Sequence, residues 1–119
     1  MCLLLAKKLF FKECHLAGRQ YYDVDEVWEE LRIGTVLKLE READNHYDKN
    51  AIQVIYVRES DNEPFLLGYV PRSDNETLSK LFDSGWNGLF DCRISKISPS
   101  VHYEDQIHFT LRINKNPNA

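Results

Sequence analysis

The chain has 119 residues, of which 43% are hydrophobic and 29% are charged, a composition that indicates a folded globular protein and excludes a disordered one. This length is enough for one hydrophobic core and too short for two, so we expect a single domain over residues 1–119. The formal net charge of −4 at pH 7 argues against a general duplex-binding protein, which neutralises many phosphates with lysine and arginine. A site that holds one or two nucleotides is still compatible with this charge.

The first third of the chain predicts a strand followed by a short helix. The strand covers Lys8–Leu16 and places three residues on one face at a period of two: Phe10, Cys14 and Leu16. After a connector over residues 19–22, Asp23 stands three residues before Glu26, which is the spacing of a capping box. The helix that follows carries apolar residues at helical spacing: Val24, Val27, Trp28 and Leu31. Gly34 ends this helix.

An unusually polar loop separates the next two predicted strands, Thr35–Glu42 and Ala51–Val57. Seven consecutive loop positions lack an aliphatic side chain: Asp44, Asn45, His46, Tyr47, Asp48, Lys49 and Asn50. Because a turn needs only one or two such residues, the surplus indicates a role beyond turning the chain.

A third predicted strand and a second helix follow. The strand covers Phe65–Val70 and ends at Pro71, after a turn over residues 59–64. Ser73 and Glu76 have the spacing of another capping box. The apolar residues after them form the buried face of the second helix: Leu78, Leu81 and Phe82. Gly85 is expected at the C-terminal end of this helix.

Two more strands, Leu89–Ile97 and Gln106–Ile113, complete the chain before a tail that we expect to be frayed over residues 114–119. The order β-α-β-β-β-α-β-β has too few helices for repeated parallel crossovers. It predicts a mainly β fold with two short helices, in the form of a small OB-like or SH3-like six-stranded barrel. The helices would plug the ends of the barrel.

The cysteine and histidine pattern does not favour a metal site. Cys14 and His15 are adjacent and therefore point to opposite faces of a strand, and no second pair stands at ligand spacing. We expect no structural metal and no cofactor. The three cysteines form no CxxC pair, which is typical of a reducing compartment, and the apolar start MCLLLA lacks the features of a secretory signal. A cytoplasmic protein with no membrane partner is therefore expected.

The sequence favours a binding module over an enzyme. It contains no GxGxxG, no GxxxxGK[ST] and no GxSxG motif, so neither a small-molecule substrate nor a serine nucleophile is predicted. One catalytic alternative stays open, since Asp44, His46 and Asp48 could form an acid–base cluster for a metal-dependent nuclease. Their alternate spacing in a loop fixes no geometry.

Four tyrosines lie at strand ends or in loops: Tyr21, Tyr22, Tyr47 and Tyr69. Exposed tyrosines can stack on unpaired bases, each contact contributing about 1–3 kcal/mol; alternatively they pack as lids over the barrel ends. Candidate phosphate and amide partners lie nearby in sequence: Arg19, Lys49, Arg72, Asn45 and Asn50. Asp48 would repel a phosphate but would accept a hydrogen bond from a hydroxyl. Its alternative role is to cap the backbone of its own turn.

Three motifs make the chain resemble the HIRAN domain family. They are G-x-QYY (Gly18, Gln20, Tyr21, Tyr22), LEREADNHYDKNAI (Leu39–Ile52) and LGYVPR (Leu67–Arg72). The chain is similar to stand-alone microbial members. The resemblance implies an OB-like barrel that binds single-stranded DNA at its 3′-hydroxyl end, without catalysis, in DNA repair or processing.

The resemblance also implies roles for individual residues. Tyr21 and Tyr47 would support the terminal nucleotide, Asp48 would accept a hydrogen bond from the 3′-hydroxyl, and Asn45 would lie beside it. Arg72 would hold a phosphate, with Tyr69 next to it. Gln20 stands where arginine occurs in other members, which implies weaker phosphate binding at that position. A competing hypothesis is a targeting module on the same fold that binds another protein, such as a DNA-processing protein.

Overall fold

Six antiparallel strands form one sheet in the computed structural model, which describes residues 8–115. The strands are β1 Leu9–His15, β2 Val36–Arg41, β3 Ile52–Val57, β4 Pro64–Tyr69, β5 Phe90–Ile97 and β6 Ile107–Ile113. Their spatial order is β1-β6-β5-β2-β3-β4. The helices are α1 Val24–Val27, α2 Arg72–Asp83 and α3 Tyr103–Gln106, with 3₁₀ turns at Arg19–Tyr21 and Trp28–Glu30. The predicted mainly β fold is thus confirmed, and α3 is an element that the sequence did not indicate.

A short backbone bridge brings the two ends of the sheet together. Immediately after β1, Ala17 exchanges two backbone hydrogen bonds with Tyr69 at the end of β4, both of 2.9 Å. Gly68 permits this approach, because a Cβ atom there would collide with the carbonyl oxygen of Ala17. We call the bridge with Gly68 the seam. It closes the sheet into the predicted barrel.

The barrel interior is filled from both the sheet and α2. Alternate residues of β6 are fully buried, namely Ile107, Phe109 and Leu111, as the clean alternation of this strand predicts. Leu78 and Phe82 of α2 pack into the same core. Leu81 is only half-buried, whereas the polar side chains of Asn75 and Ser79 are buried on this helix.

The structure corrects the predicted inner face of β1. Phe10 pairs with Arg112 and Lys12 pairs with Leu111, so Phe11 is an extra residue that forms a β-bulge. The bulge shifts the alternation by one position. Phe10 is therefore exposed and does not share a face with the buried Cys14.

Both predicted capping boxes are wrong. Asp23 makes no side-chain cap, and the helix that it precedes has four residues before it tightens into a 3₁₀ turn. Helix α2 begins at Arg72 directly after Pro71, so Ser73 lies inside the helix and caps nothing. Asn114 remains bonded to the backbone of Leu89 at 2.8 Å, while residues 116–119 of the predicted tail and residues 1–7 lie outside the described part of the chain. Within residues 8–115 no helix is long and apolar enough to cross a membrane.

Candidate functional site

A pocket with a volume of about 210 Å³ opens at the barrel seam. Its floor includes Ala17 and Val70 beside the bridge that closes the sheet. The side chains around it come from three segments and include Tyr22, Asn45, Tyr47, Asp48, Tyr69 and Arg72. Five of the seven residues predicted for DNA binding therefore surround one pocket.

Hydrogen bonds from its own side chains fix the polar loop. The Asn45 Oδ1 atom accepts from the backbone N–H groups of Tyr47, at 2.8 Å, and Asp48, at 2.9 Å. The Asp48 Oδ1 atom accepts from the backbone N–H of Asn50 at 2.9 Å. The turn role considered for Asp48 is thus real, but it uses only one carboxylate oxygen.

The second carboxylate oxygen of Asp48 faces helix α2. Its Oδ2 atom accepts from the Asn75 amide at 2.8 Å and lies 3.6 Å from Nε of Arg72. The Asp48 side chain is 20% exposed. Because each carboxylate oxygen can accept more than one hydrogen bond, Asp48 keeps acceptor capacity toward the pocket.

The sequence interpretation missed the residues that support the loop from behind. Arg41 donates to the carbonyl oxygens of Lys49, at 2.7 Å, and Ala51, at 3.0 Å, and its Nε lies 3.0 Å from the Asp83 carboxylate of α2. On α2, Ser79 contacts the Asn50 side chain at 3.2 Å. The available signal in the sequence was the pair Asn75 and Ser79, because polar residues four positions apart lie on one side of a helix, here the side that carries its apolar residues.

Tyr22 and Tyr69 form the aromatic wall of the pocket. Their ring centroids are 5.5 Å apart at an angle of 59°. The Tyr69 hydroxyl donates to Glu42 Oε1 at 2.7 Å. Burial, and then the hydrogen bond to the Glu42 carboxylate, raise the pKa of Tyr69 to about 12, so this phenol stays protonated and keeps donating.

Tyr22 lines the pocket, whereas Gln20 and Tyr21 lie on the adjacent 3₁₀ turn outside its lining. Both of these side chains are exposed. Gly18 lies at the start of this turn with φ of 75°, and a Cβ atom there would be 3.1 Å from the Tyr22 ring. Glycine at this position therefore allows both the left-handed turn and the inward placement of Tyr22.

Two cations near the site have opposite environments. Arg19 is only 6% exposed; it donates to Gln106 at 2.7 Å, pairs with Asp25 at 2.9 Å and lies over the ring of Trp28. It is committed to the core, and its interpretation as a phosphate partner is wrong. The Arg72 side chain is 71% exposed at the mouth of the pocket, where it donates to the Tyr47 carbonyl oxygen.

The residues of the nuclease alternative are spread along the loop. Asp44 and His46 are exposed, whereas Asp48 is held by Asn50 and Asn75. In the part of the chain that the structure describes, no group of three or more histidine, cysteine or acidic residues is arranged to hold a metal.

Comparison with known proteins assigns the chain to a family. The HIRAN domain model matches residues 9–115, and the chain belongs to the HIRAN domain family. HIRAN domains are generally DNA-binding modules rather than enzymes. Comparison with curated protein sequences gives no match.

Two solved structures share the fold. A protein from Lactobacillus plantarum superposes with a TM-score of 0.71 at 23% identity, covering 92% of this chain and 98% of its own. The HIRAN domain of human HLTF superposes with a TM-score of 0.54 at 20% identity, covering 87% of this chain and 76% of its own. Identities this low support the common architecture alone.

Proposed function

We propose that this domain binds the 3′-hydroxyl end of single-stranded DNA in the seam pocket, without cleaving it, as part of DNA repair or processing. The observation that carries the proposal is the partly exposed carboxylate of Asp48, which lines one pocket together with the aromatic wall and the exposed guanidinium of Arg72. A carboxylate is a strong acceptor for a hydroxyl and repels a phosphate. The pair therefore suits a strand end that presents a hydroxyl on one side and a phosphodiester on the other.

The size of the pocket agrees with a terminal group. At about 210 Å³ it is smaller than the roughly 300–1,000 Å³ of pockets that enclose drug-sized ligands. Only part of a terminal nucleoside would enter the pocket, and its base would lie outside against an exposed ring. Tyr47 is 88% exposed, so its ring is free to stack on that base, and the exposed Tyr21 would add a second ring beside it. Gln20 would offer an uncharged contact to the backbone.

A titration of labelled oligonucleotides tests the proposal. Three strands of identical sequence are compared: one ending in a 3′-hydroxyl, one ending in a 3′-phosphate, and a circular strand with no end. We expect the 3′-hydroxyl strand to bind about tenfold or more tightly, because a hydrogen bond to a charged group contributes about 1.5–3 kcal/mol. Equal affinity for all three strands, or binding to none, contradicts end recognition.

Two substitutions separate the proposed roles. Asp48→Asn removes the charge and should reduce discrimination between the two ends, whereas Arg72→Ala should weaken both ends by a similar factor. Arg112→Ala is the matched control, since Arg112 is exposed on β6 and lies over the Phe10 ring, far from the seam. If Arg72→Ala alters discrimination while Asp48→Asn weakens both ends equally, the two assignments are reversed.

A protein-interaction module is the second candidate function. Three consecutive apolar side chains are exposed on β1: Leu9, Phe10 and Phe11. Exposed apolar clusters mark contact surfaces for other proteins. This candidate predicts that substitutions at the seam pocket leave partner binding unchanged.

A further inference from the structure

Glu42 lies immediately after β2, behind the side chains that line the seam pocket. Its Oε1 atom accepts hydrogen bonds from the Asn45 amide and the Tyr69 hydroxyl, both at 2.7 Å. Its Oε2 atom accepts from the Gln53 amide at 2.9 Å. One carboxylate thus receives three donors from three different segments of the chain.

The contact with Asn45 determines which way that side chain faces. The amide has a donor end and an acceptor end, and the Glu42 carboxylate can bind only the donor end. The acceptor end, Oδ1, must then point to the loop, where it receives the backbone N–H groups of Tyr47 and Asp48. The backbone conformation of the Tyr47–Asp48 segment therefore depends on Glu42 through Asn45.

The contact with Tyr69 fixes the other side of the pocket. The hydrogen bond to Glu42 holds the Tyr69 ring where it meets Tyr22. Other side chains support different points of the loop. Arg41 donates to the carbonyl oxygens of Lys49 and Ala51, and Asn75 donates to Asp48 Oδ2. Arg72 donates to the carbonyl oxygen of Tyr47. Within residues 8–115, Glu42 is the side chain that bonds both to the loop at Asn45 and to the aromatic wall at Tyr69.

We propose that Glu42 is a positioning residue, which presets the Tyr47–Asp48 segment and the Tyr69 ring for DNA without touching the DNA itself. This inference rests on the proposed 3′-end function. It assigns specificity to a carboxylate outside the pocket. A preset loop loses less conformational freedom when the ligand binds, which strengthens binding.

The first measurements use the free protein. Glu42→Ala should accelerate amide hydrogen exchange at Tyr47 and Asp48 about tenfold, because their acceptor is no longer oriented. Glu42→Gln keeps an acceptor for Asn45 and should retain protection there. In both variants the pKa of Tyr69, followed by ultraviolet titration, should fall below about 12 because the neighbouring negative charge is gone, but it should stay raised because burial, the larger cause, remains. Glu40→Ala is the control on the adjoining strand β2, where Glu40 is exposed and pairs with Lys38 at 3.2 Å.

The second measurement uses the 3′-hydroxyl and 3′-phosphate strands. Glu42→Ala should lose about tenfold in affinity for the 3′-hydroxyl strand and most of its discrimination, and Glu42→Gln should recover at least part of both. If Glu42→Ala does not fold, Glu42→Asp replaces it, since it withdraws the carboxylate by one methylene group and should give the same losses.

The outcomes distinguish the two proposals. If the wild-type protein does not discriminate between the strand ends, the proposed function fails, while exchange and titration still decide the role of Glu42. Wild-type exchange rates at Tyr47 and Asp48 in a folded Glu42→Ala or Glu42→Asp variant overturn the positioning role. The same is true if exchange accelerates and DNA discrimination stays intact.

Discussion

Tyr47 is the residue where binding and stability are most clearly separable. The residue is 88% exposed, so removing its ring uncovers little of the core. Tyr47→Ala should weaken DNA binding by about 1–3 kcal/mol, the contribution of one base stacked on an aromatic ring. The free energy of unfolding of the Tyr47→Ala variant, measured in urea, should stay within about 0.5 kcal/mol of the wild-type value, as for other surface substitutions.

Tyr47→Phe is the matched variant, because it keeps the ring and removes only the hydroxyl. If Tyr47→Phe binds DNA with the affinity of the wild-type protein, the result supports stacking of the ring on a base. An affinity as low as that of Tyr47→Ala would instead assign the contribution of Tyr47 to its hydroxyl group.

At the scale of single residues, the sequence predicted the turn contact of Asp48, whereas both capping boxes and the distant contact of Arg19 were missed. The hydrogen bond that Asp48 accepts from the Asn50 backbone joins residues two positions apart, and turn chemistry anticipates it. Arg19 was misassigned because its buried partner Gln106 lies 87 positions further along the chain. Tyr22, and not Tyr21, enters the pocket because the turn after Gly18 sets the direction of both rings.

At the scale of elements, alternation and punctuation residues located all six strands to within about two residues. The errors arose where an element depends on its neighbour. The β1 bulge exists only in the register that this strand adopts against β6. Similarly, Pro71 already sets the backbone at the start of α2, and no side-chain cap is formed there.

The contribution of the seam to the free energy of unfolding can be measured by substituting Gly68. In Gly68→Ala the new Cβ would meet the carbonyl oxygen of Ala17, and it would lie 3.0 Å from the Leu16 side chain. The backbone must move, so we expect a loss of about 1–3 kcal/mol in the free energy of unfolding, as for other overpacked sites. Because Ala17 and Tyr69 both line the pocket, DNA affinity should fall as well.

Gly88→Ala provides the control for this substitution. A Cβ atom at Gly88 would meet nothing within 4 Å. We expect unfolding in urea to be unchanged or slightly shifted to higher concentration, because alanine restricts the unfolded chain. Equal stabilities for the two variants would show that the seam tolerates a side chain and that its close approach is not required.

The charge of the whole molecule limits how DNA can be held. With a net charge of −4, the protein has no broad electrostatic attraction for a polyanion, and Arg72 is the cation at the mouth of the pocket. A second cation, Lys49, is exposed on the polar loop directly after Asp48. Binding should therefore release only one or two counterions.

This limit gives a quantitative prediction. For single strands the logarithm of the binding constant falls with the logarithm of salt concentration by about 0.7 for each phosphate neutralised. We expect a slope between about −0.7 and −1.4 for the 3′-hydroxyl strand. The binding constant is measured by fluorescence anisotropy at salt concentrations from roughly 50 to 300 mM. Arg72→Ala should make the slope shallower by about 0.7, and Arg112→Ala should leave it unchanged. A slope steeper than about −3 would indicate a basic surface other than the seam pocket, whereas a slope of zero in a binding-competent protein would favour an apolar contact.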